Sequence, residues 1–158
     1  MIDADFDEFV RTIGERVRRA LVAFYGVEVG TEAGGDALRV AWERWADVSS
    51  MANPAGYLFR VGQSHARPHV RWSRRRTAFP SSYGQAVTAV DADSAALLDL
   101  FGALSKLPGE RRAVVLLVRA YGLTYDETAE VLWITTANVT NHVHRGIRQL
   151  RQLLEVDQ

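Results

Sequence analysis

A set of polar side chains near the C-terminus is placed to read the edges of DNA bases. At about 100° per residue, these side chains fall on one side of a long helix, opposite Val139, Val143 and Ile147. The set consists of Thr136, Asn138, Asn141, His142, Arg145 and Arg148. A carboxamide matches the donor and acceptor of adenine in the major groove, and a guanidinium matches a backbone phosphate. The pattern predicts a DNA-reading face, although such residues also occur on ordinary solvated surfaces.

A second positively charged segment lies in the N-terminal half. Residues 56 to 80 contain six arginines and no acid, a composition that suits phosphate binding. The six are Arg60, Arg67, Arg71, Arg74, Arg75 and Arg76. On a helix from Pro54 to about Arg75, four of them share an arc of about 60°. The alternative is a solvated helix face, and Pro68 predicts a kink or a break that turns the later arginines out of line.

No residue pattern in the chain is suited to catalysis or to metal binding. There is no cysteine, which excludes thiol nucleophiles, disulfides and cysteine-ligated metals. Ser64 and His65 are neighbours on a helix and point apart, while His65 and His69 lack the glutamate of a metalloprotease helix. We therefore expect no enzyme, no catalytic residue, no metal site and no cofactor.

Helical signals dominate the N-terminal half. Apolar residues recur at steps of three and four from Phe6 to Phe24, and Asn53 before Pro54 is typical of a helix start. The glycine-rich segment 26–35 predicts a loop or a weak helix start. Residues 77–94 lack helical periodicity and carry Pro, Gly, Ser and Asp, which predicts a linker.

The C-terminal half has the form of a helix-turn-helix. Thr124 with Glu127 three residues later predicts a capping box for a short helix, and Thr135 caps a long one after a tight turn. The second helix carries the polar face described above. The expected fold is therefore all-α, with two small helical domains at 1–76 and 95–158. A flexible linker at 77–94 joins them, and the C-terminal domain contains the helix-turn-helix.

The composition is that of an ordinary globular protein. The 158 residues are 47% apolar and 24% charged, and nineteen basic residues balance nineteen acidic ones. No window approaches the roughly 18 apolar residues of a membrane span, and the acidic N-terminus lacks a signal segment. We expect a cytoplasmic protein without a membrane partner.

Most of the chain resembles one known family. The stretch from Leu107 to Leu154, with its Leu107–Pro108 opening and Ile134–Thr135 turn, is similar to region four of bacterial sigma factors of the extracytoplasmic-function group. The segments AWERW and NPAGYLFRV, with the arginine run, are similar to region two of these sigma-70 family proteins. Trp133 stands where relatives carry a turn glycine, which is tolerable if the turn keeps φ negative there.

The resemblance implies a transcription initiation factor that binds promoter DNA and recruits core RNA polymerase. On that interpretation the C-terminal domain holds an upstream promoter element, and the N-terminal domain binds polymerase and the opening DNA. The resemblance also implies an anti-sigma protein as a further partner. The alternative is a sigma-derived DNA-binding regulator or an anti-sigma decoy that does not engage polymerase productively.

Overall fold

Helices form every regular element of the described residues. The computed structural model describes residues 2–73 and 95–156, as two helical parts. The helices are α1 (Ile2–Phe9), α2 (Glu15–Tyr25), α3 (Val27–Glu43), α4 (Trp45–Val48), α5 (Pro54–Ser73), α6 (Ala95–Lys106), α7 (Gly109–Val115), α8 (Tyr125–Leu132) and α9 (Thr136–Val156). Turns of π-helix at Val10–Gly14 and Leu116–Ala120 precede α2 and follow α7. The expected all-α fold class is confirmed, and the linker expected at 77–94 lies outside the described residues.

The glycine-rich segment belongs to a helix. Gly26, with a φ of 95°, ends α2, and α3 begins at the next residue and continues through Gly30 and Gly34. A Cβ atom on Gly30 would clash with the backbone of Val22, so this glycine lets α3 approach the backbone of α2. Of the loop or weak helix start expected at 26–35, the structure has the helix start, because close packing of α3 on α2 outweighs the low helix propensity of glycine.

α5 begins as predicted and continues through its proline. The backbone N–H of Gly56 donates to Asn53 Oδ1 at 2.9 Å, and Pro54 is the first helical residue. Pro68 has no N–H to donate, yet it lies inside the helix. Of the kink or break expected at this proline, the break does not occur, since α5 continues to Ser73.

The two helices of the helix-turn-helix are capped where the sequence predicts. The N–H of Glu127 donates to Thr124 Oγ1 at 3.0 Å, and the N–H of Asn138 donates to Thr135 Oγ1 at 3.1 Å. The capping box at α8 is half formed. The Glu127 carboxylate does not return a bond to the Thr124 backbone but pairs with Arg16 of α2 at 3.2 Å.

The turn between α8 and α9 holds a tryptophan in a left-handed conformation. Trp133 has φ 56° and ψ 49°, and the N–H of Ile134 donates to the Ala129 carbonyl at 3.0 Å. Together with the bond from the Trp133 N–H to the Glu130 carbonyl, these are the features of a Schellman motif, which usually places glycine at this position. The expectation of a negative φ at Trp133 is therefore wrong. The left-handed backbone conformation of this residue costs about 1–2 kcal/mol.

One apolar cluster contains residues of both helical parts. Val17, Leu21 and Leu58 of the N-terminal part and Leu117 and Val139 of the C-terminal part are each at most 1% exposed. Each part therefore buries apolar surface against the other, which is the main favourable contribution to their association.

A buried arginine reinforces this association. Arg112 of α7 is 7% exposed, and its Nη2 and Nε donate to the carbonyls of Phe24 at 2.7 Å and Ala23 at 3.3 Å. Its Nη1 donates to the Leu107 carbonyl at 3.4 Å. The last carbonyls of a helix have no partner within the helix, so the guanidinium supplies donors at the C-terminal end of α2.

We expect Thr124→Ala to lower the free energy of unfolding of the full chain by about 1 kcal/mol, because it removes the cap of α8. Chemical denaturation followed by circular dichroism measures this. Thr31→Ala is the matched control, since Thr31 is an exposed threonine within α3. Equal stability of the two variants would mean that the hydroxyl of Thr124 contributes nothing.

We expect Arg112→Met to lower the free energy of unfolding by about 3 kcal/mol or more, because hydrogen bonds to a charged group contribute about 1.5–3 kcal/mol each and buried carbonyls lose their donors. Arg112→Lys retains the charge and one donor group, so its effect is smaller. Arg119→Met is the control, since Arg119 is exposed on the same part of the chain. A decrease no larger than that of Arg119→Met contradicts the assigned role.

Candidate nucleic-acid interface

α9 presents a polar face to solvent and an apolar face to the core. Val139 and Val143 are at most 2% exposed, and a Cβ atom on Gly146 would lie 2.4 Å from Cγ2 of Val115. The opposite face carries exposed side chains with amide or guanidinium groups. They are Asn138, Asn141, Arg145 and Arg148. The structure thus brings these four predicted residues to one open surface, on which donors and acceptors are free to meet base edges and phosphates.

Thr136 lies at the start of the same helix and joins it to α8. Its side chain is exposed, and its Oγ1 donates to Asp126 Oδ1 at 3.3 Å. This bond and the Thr135 cap fix the first turn of α9 relative to α8. The N-terminal turn of a recognition helix is the part that contacts bases, so its orientation matters most.

His142 lies at the edge of the open face, where α7 partly covers it. Its side chain is 25% exposed, its Nε2 lies 3.7 Å from Glu110 Oε1 at the start of α7, and its Nδ1 is buried without a hydrogen-bond partner. The helical layout put His142 at the edge of the polar arc, and the approach of α7 covers that edge. The contact of His142 with DNA stays a prediction.

The arginines of α9 differ in their neighbours from the arginines that precede residue 45. Within the described residues, Arg145, Arg148 and Arg151 make no ion pair. Ion pairs within 4 Å are formed by Arg11, Arg16, Arg18, Arg19, Arg39 and Arg44. At Glu15, the guanidinium of Arg18 holds the pKa of the carboxyl below its usual value. The cations of α9 thus keep their charge available to an external anion.

This surface includes two further arginines that were not predicted from the sequence. Arg119 and Arg151 line a groove of about 420 Å³ together with Arg148 and His144. Arg151 is three residues from Arg148, so the helical layout alone could have placed it there. Arg119 follows α7, and only the packing of the chain brings it beside α9.

The arginines predicted in the N-terminal half divide into three groups. Arg60 and Arg67 are exposed on α5, and the guanidinium of Arg60 lies 4.9 Å from the ring centroid of Trp133. Burial raises the pKa of Tyr25, and Gln63 and Arg67 beside it oppose that rise. Arg71 lies on the same uninterrupted helix. Residues 74–76, the predicted Arg74, Arg75 and Arg76, lie outside the described residues.

Neither a metal-binding cluster nor a membrane-spanning helix is found in the part of the chain that the structure describes. There, no group of three or more histidine, aspartate or glutamate side chains is arranged to hold a metal ion. None of the helices at 2–73 and 95–156 combines the length and apolarity that crossing a bilayer requires.

Comparison with known proteins gives matches over both parts of the chain. Residues 97–150 match the family described as Sigma-70, region 4. The chain is 30% identical to the ECF RNA polymerase sigma factor SigE of Mycolicibacterium smegmatis (strain ATCC 700084 / mc(2)155), over an alignment of 158 positions. That alignment covers 94% of this chain and 61% of SigE, so the chain spans about three fifths of the length of this curated relative.

A solved structure shares the fold. It is the co-crystal structure of the sigma factor RpoE in complex with the anti-sigma factor NepR from Bartonella quintana. The match has a TM-score of 0.63 at 20% sequence identity, and it covers 98% of this chain and 99% of the RpoE chain.

Proposed function

We propose that this chain is an initiation factor of the extracytoplasmic-function group of the sigma-70 family, which binds promoter DNA and recruits core RNA polymerase. The observation that carries the proposal is the open face of α9. It combines two carboxamides with arginines that have no ion-pair partner within the described residues, on a helix fixed by its cap and by the helix before it. Such a face is suited to reading bases and binding phosphates.

The two helical parts have separate roles in this proposal. A C-terminal domain at 95–158 holds an upstream promoter element through Thr136, Asn138, Asn141, Arg145 and Arg148. An N-terminal domain at 1–76 binds polymerase and the opening DNA, with Arg60, Arg67, Arg71, Arg74, Arg75 and Arg76 on phosphates. Within the described residues, the side chains of Arg60 and Arg67 are exposed on α5.

The remaining assignments follow from the proposed family membership. The chain itself catalyses no reaction, since polymerase supplies the chemistry, and it acts in the cytoplasm, where promoter DNA and polymerase meet. Because RpoE is held by an anti-sigma factor in the matching structure, an anti-sigma protein is a fitting regulator of this chain as well.

Polymerase binding and transcription test the proposal directly. The full chain is expected to co-purify with core RNA polymerase and to give run-off transcripts from a promoter selected with the complex. Binding of DNA without retention on polymerase contradicts it. That outcome favours instead a regulator or decoy that has lost productive polymerase binding.

Variants of α9 separate base reading from phosphate binding. We expect Asn138→Ala or Asn141→Ala to change which sequences are enriched from a random DNA pool, because a bidentate base contact discriminates by about 1–3 kcal/mol. Arg148→Ala is expected to lower affinity for all sequences alike. It should also reduce the slope of log affinity against log salt by about 0.9, since it removes one bond to a phosphate.

Thr31→Ala is the control for this selection, since Thr31 is exposed on α3, outside the proposed contacts. It should leave both the enriched motif and the salt slope unchanged. If both asparagine variants enrich the wild-type motif with undiminished preference at every position, α9 does not read bases as proposed.

A further inference from the structure

A groove beside the open face of α9 is lined by three arginines. It encloses about 420 Å³ between the C-terminal half of α9 and Arg119, which lies in the π-helical turn after α7. The other two arginines, Arg148 and Arg151, belong to α9. We call this feature the arginine groove. Its volume is within the range of about 300–1,000 Å³ that is usual for sites of small molecules.

The positive charge of the arginine groove is not neutralised within the described residues. Glu155 is the one acidic side chain of its lining, and no ion pair within 4 Å joins it to an arginine of the groove. By contrast, Arg16 and Arg39 each lie within 4 Å of a carboxylate. Three guanidiniums against one carboxylate leave an excess of positive charge, and the concave shape of the groove strengthens the potential that this charge produces.

The arginine groove faces a different direction from the base-reading residues of α9. At about 100° per residue, His144 lies about 90° around the helix from the midpoint between Asn138 and Asn141. Arg151 is displaced in the same direction, by about 110°. Arg148 lies between the two directions and therefore borders both surfaces. A molecule in the groove thus leaves the two asparagines uncovered but occupies Arg148.

Guanidinium groups on two elements suit an anion that carries several charged groups. One guanidinium can donate two parallel hydrogen bonds to the oxygens of a phosphate. Because Arg119 and Arg151 belong to different elements, linked phosphates offer each of them its own oxygens, whereas a single phosphate has to be shared. The amide of Gln152 and the ring of His144 add further hydrogen-bond donors to the same lining. The groove is therefore suited to a short chain of phosphates.

We propose that the arginine groove is a binding site for a free oligophosphate, a molecule with two or more linked phosphates. Its occupant competes with DNA for Arg148 and so lowers the affinity of α9 for promoter DNA. Two ligands that share one cation oppose each other's binding to the same extent. Binding of the oligophosphate does not rest on the proposed function, whereas its effect on promoter DNA does.

Isothermal titration calorimetry of the full chain with inorganic tripolyphosphate tests the site without DNA or polymerase. One molecule is expected to bind to each chain. Arg119→Ala should lower the affinity about tenfold, because a hydrogen bond from a charged donor is lost. Glu155→Gln should raise the affinity, because it removes the carboxylate that repels the anion. Orthophosphate should bind more weakly than tripolyphosphate.

Arg145→Ala is the matched control for these titrations, since Arg145 is an exposed arginine of the same helix that does not line the groove. Its effect on the tripolyphosphate affinity should be much smaller than that of Arg119→Ala. Equal losses in the two variants, with circular dichroism showing that both are folded, mean that tripolyphosphate binds to the positive surface in general. That result overturns the site, and so does an absence of saturable binding by the wild-type chain.

ATP and duplex DNA distinguish the sources from which the phosphates can come. Tighter binding of ATP than of tripolyphosphate assigns the groove to a nucleoside polyphosphate, and no gain from the nucleoside assigns it to the phosphate chain alone. A different result is possible with the selected DNA. If Arg119→Ala reduces the slope of log DNA affinity against log salt by about 0.9, the groove binds a phosphate of DNA, and the site for a free oligophosphate is overturned.

Competition with DNA is measured by fluorescence anisotropy of the selected DNA at constant ionic strength. Tripolyphosphate is expected to weaken DNA binding by the wild-type chain and to have a several-fold smaller effect on Arg119→Ala. Equal effects on the two chains overturn competition at the groove, while calorimetry decides the site itself. A chain that binds tripolyphosphate but no DNA contradicts the proposed function and leaves the oligophosphate site standing.

Discussion

The position of the helix-turn-helix depends on the hydrogen bonds that the last carbonyls of α2 accept. The carbonyls of Ala23 and Phe24 lie at the negative end of that helix, and the chain turns into α3 immediately afterwards at Gly26. Arg112, nearly ninety residues later, supplies the donors. Its burial is stable only where such acceptors are fixed, so the position of α7, and with it α8 and α9, is tied to the end of an N-terminal helix.

The turn before α9 shows the same dependence on a distant residue. A tryptophan at the left-handed position of a Schellman motif is unfavourable when only the local chain is considered. Arg60 stacks on the ring from α5, and such a contact contributes about 0.5–1 kcal/mol or more, which offsets part of the strain. The orientation of the recognition helix thus reflects the N-terminal part as well as its own turn.

Features that depend on nearby residues could be predicted from the sequence, whereas contacts with distant residues, such as these two, could not. Helices, caps and the helix-turn-helix follow from signals within a few residues, such as Thr124 before Glu127 and the alternation of Val139 with Asn138 and Asn141. The close packing of α3 on α2 at 26–35 and the approach of α7 to His142 depend on neighbours that a local pattern does not contain. Arg119 has no local signal at all, because its partners in the groove belong to another helix.

Glu127 shows how a local signal can be used for a long-range contact. In a full capping box its carboxylate would accept from the Thr124 N–H and stabilise only α8. In this chain that carboxylate pairs with Arg16, so one side chain that the sequence assigns to a helix end also joins the two parts of the molecule. The pair is partly exposed, with 37% and 32% of the two side chains accessible, and it is therefore weakened by salt and water. A contact of this kind holds the parts in register while the buried core and Arg112 supply most of the affinity between them.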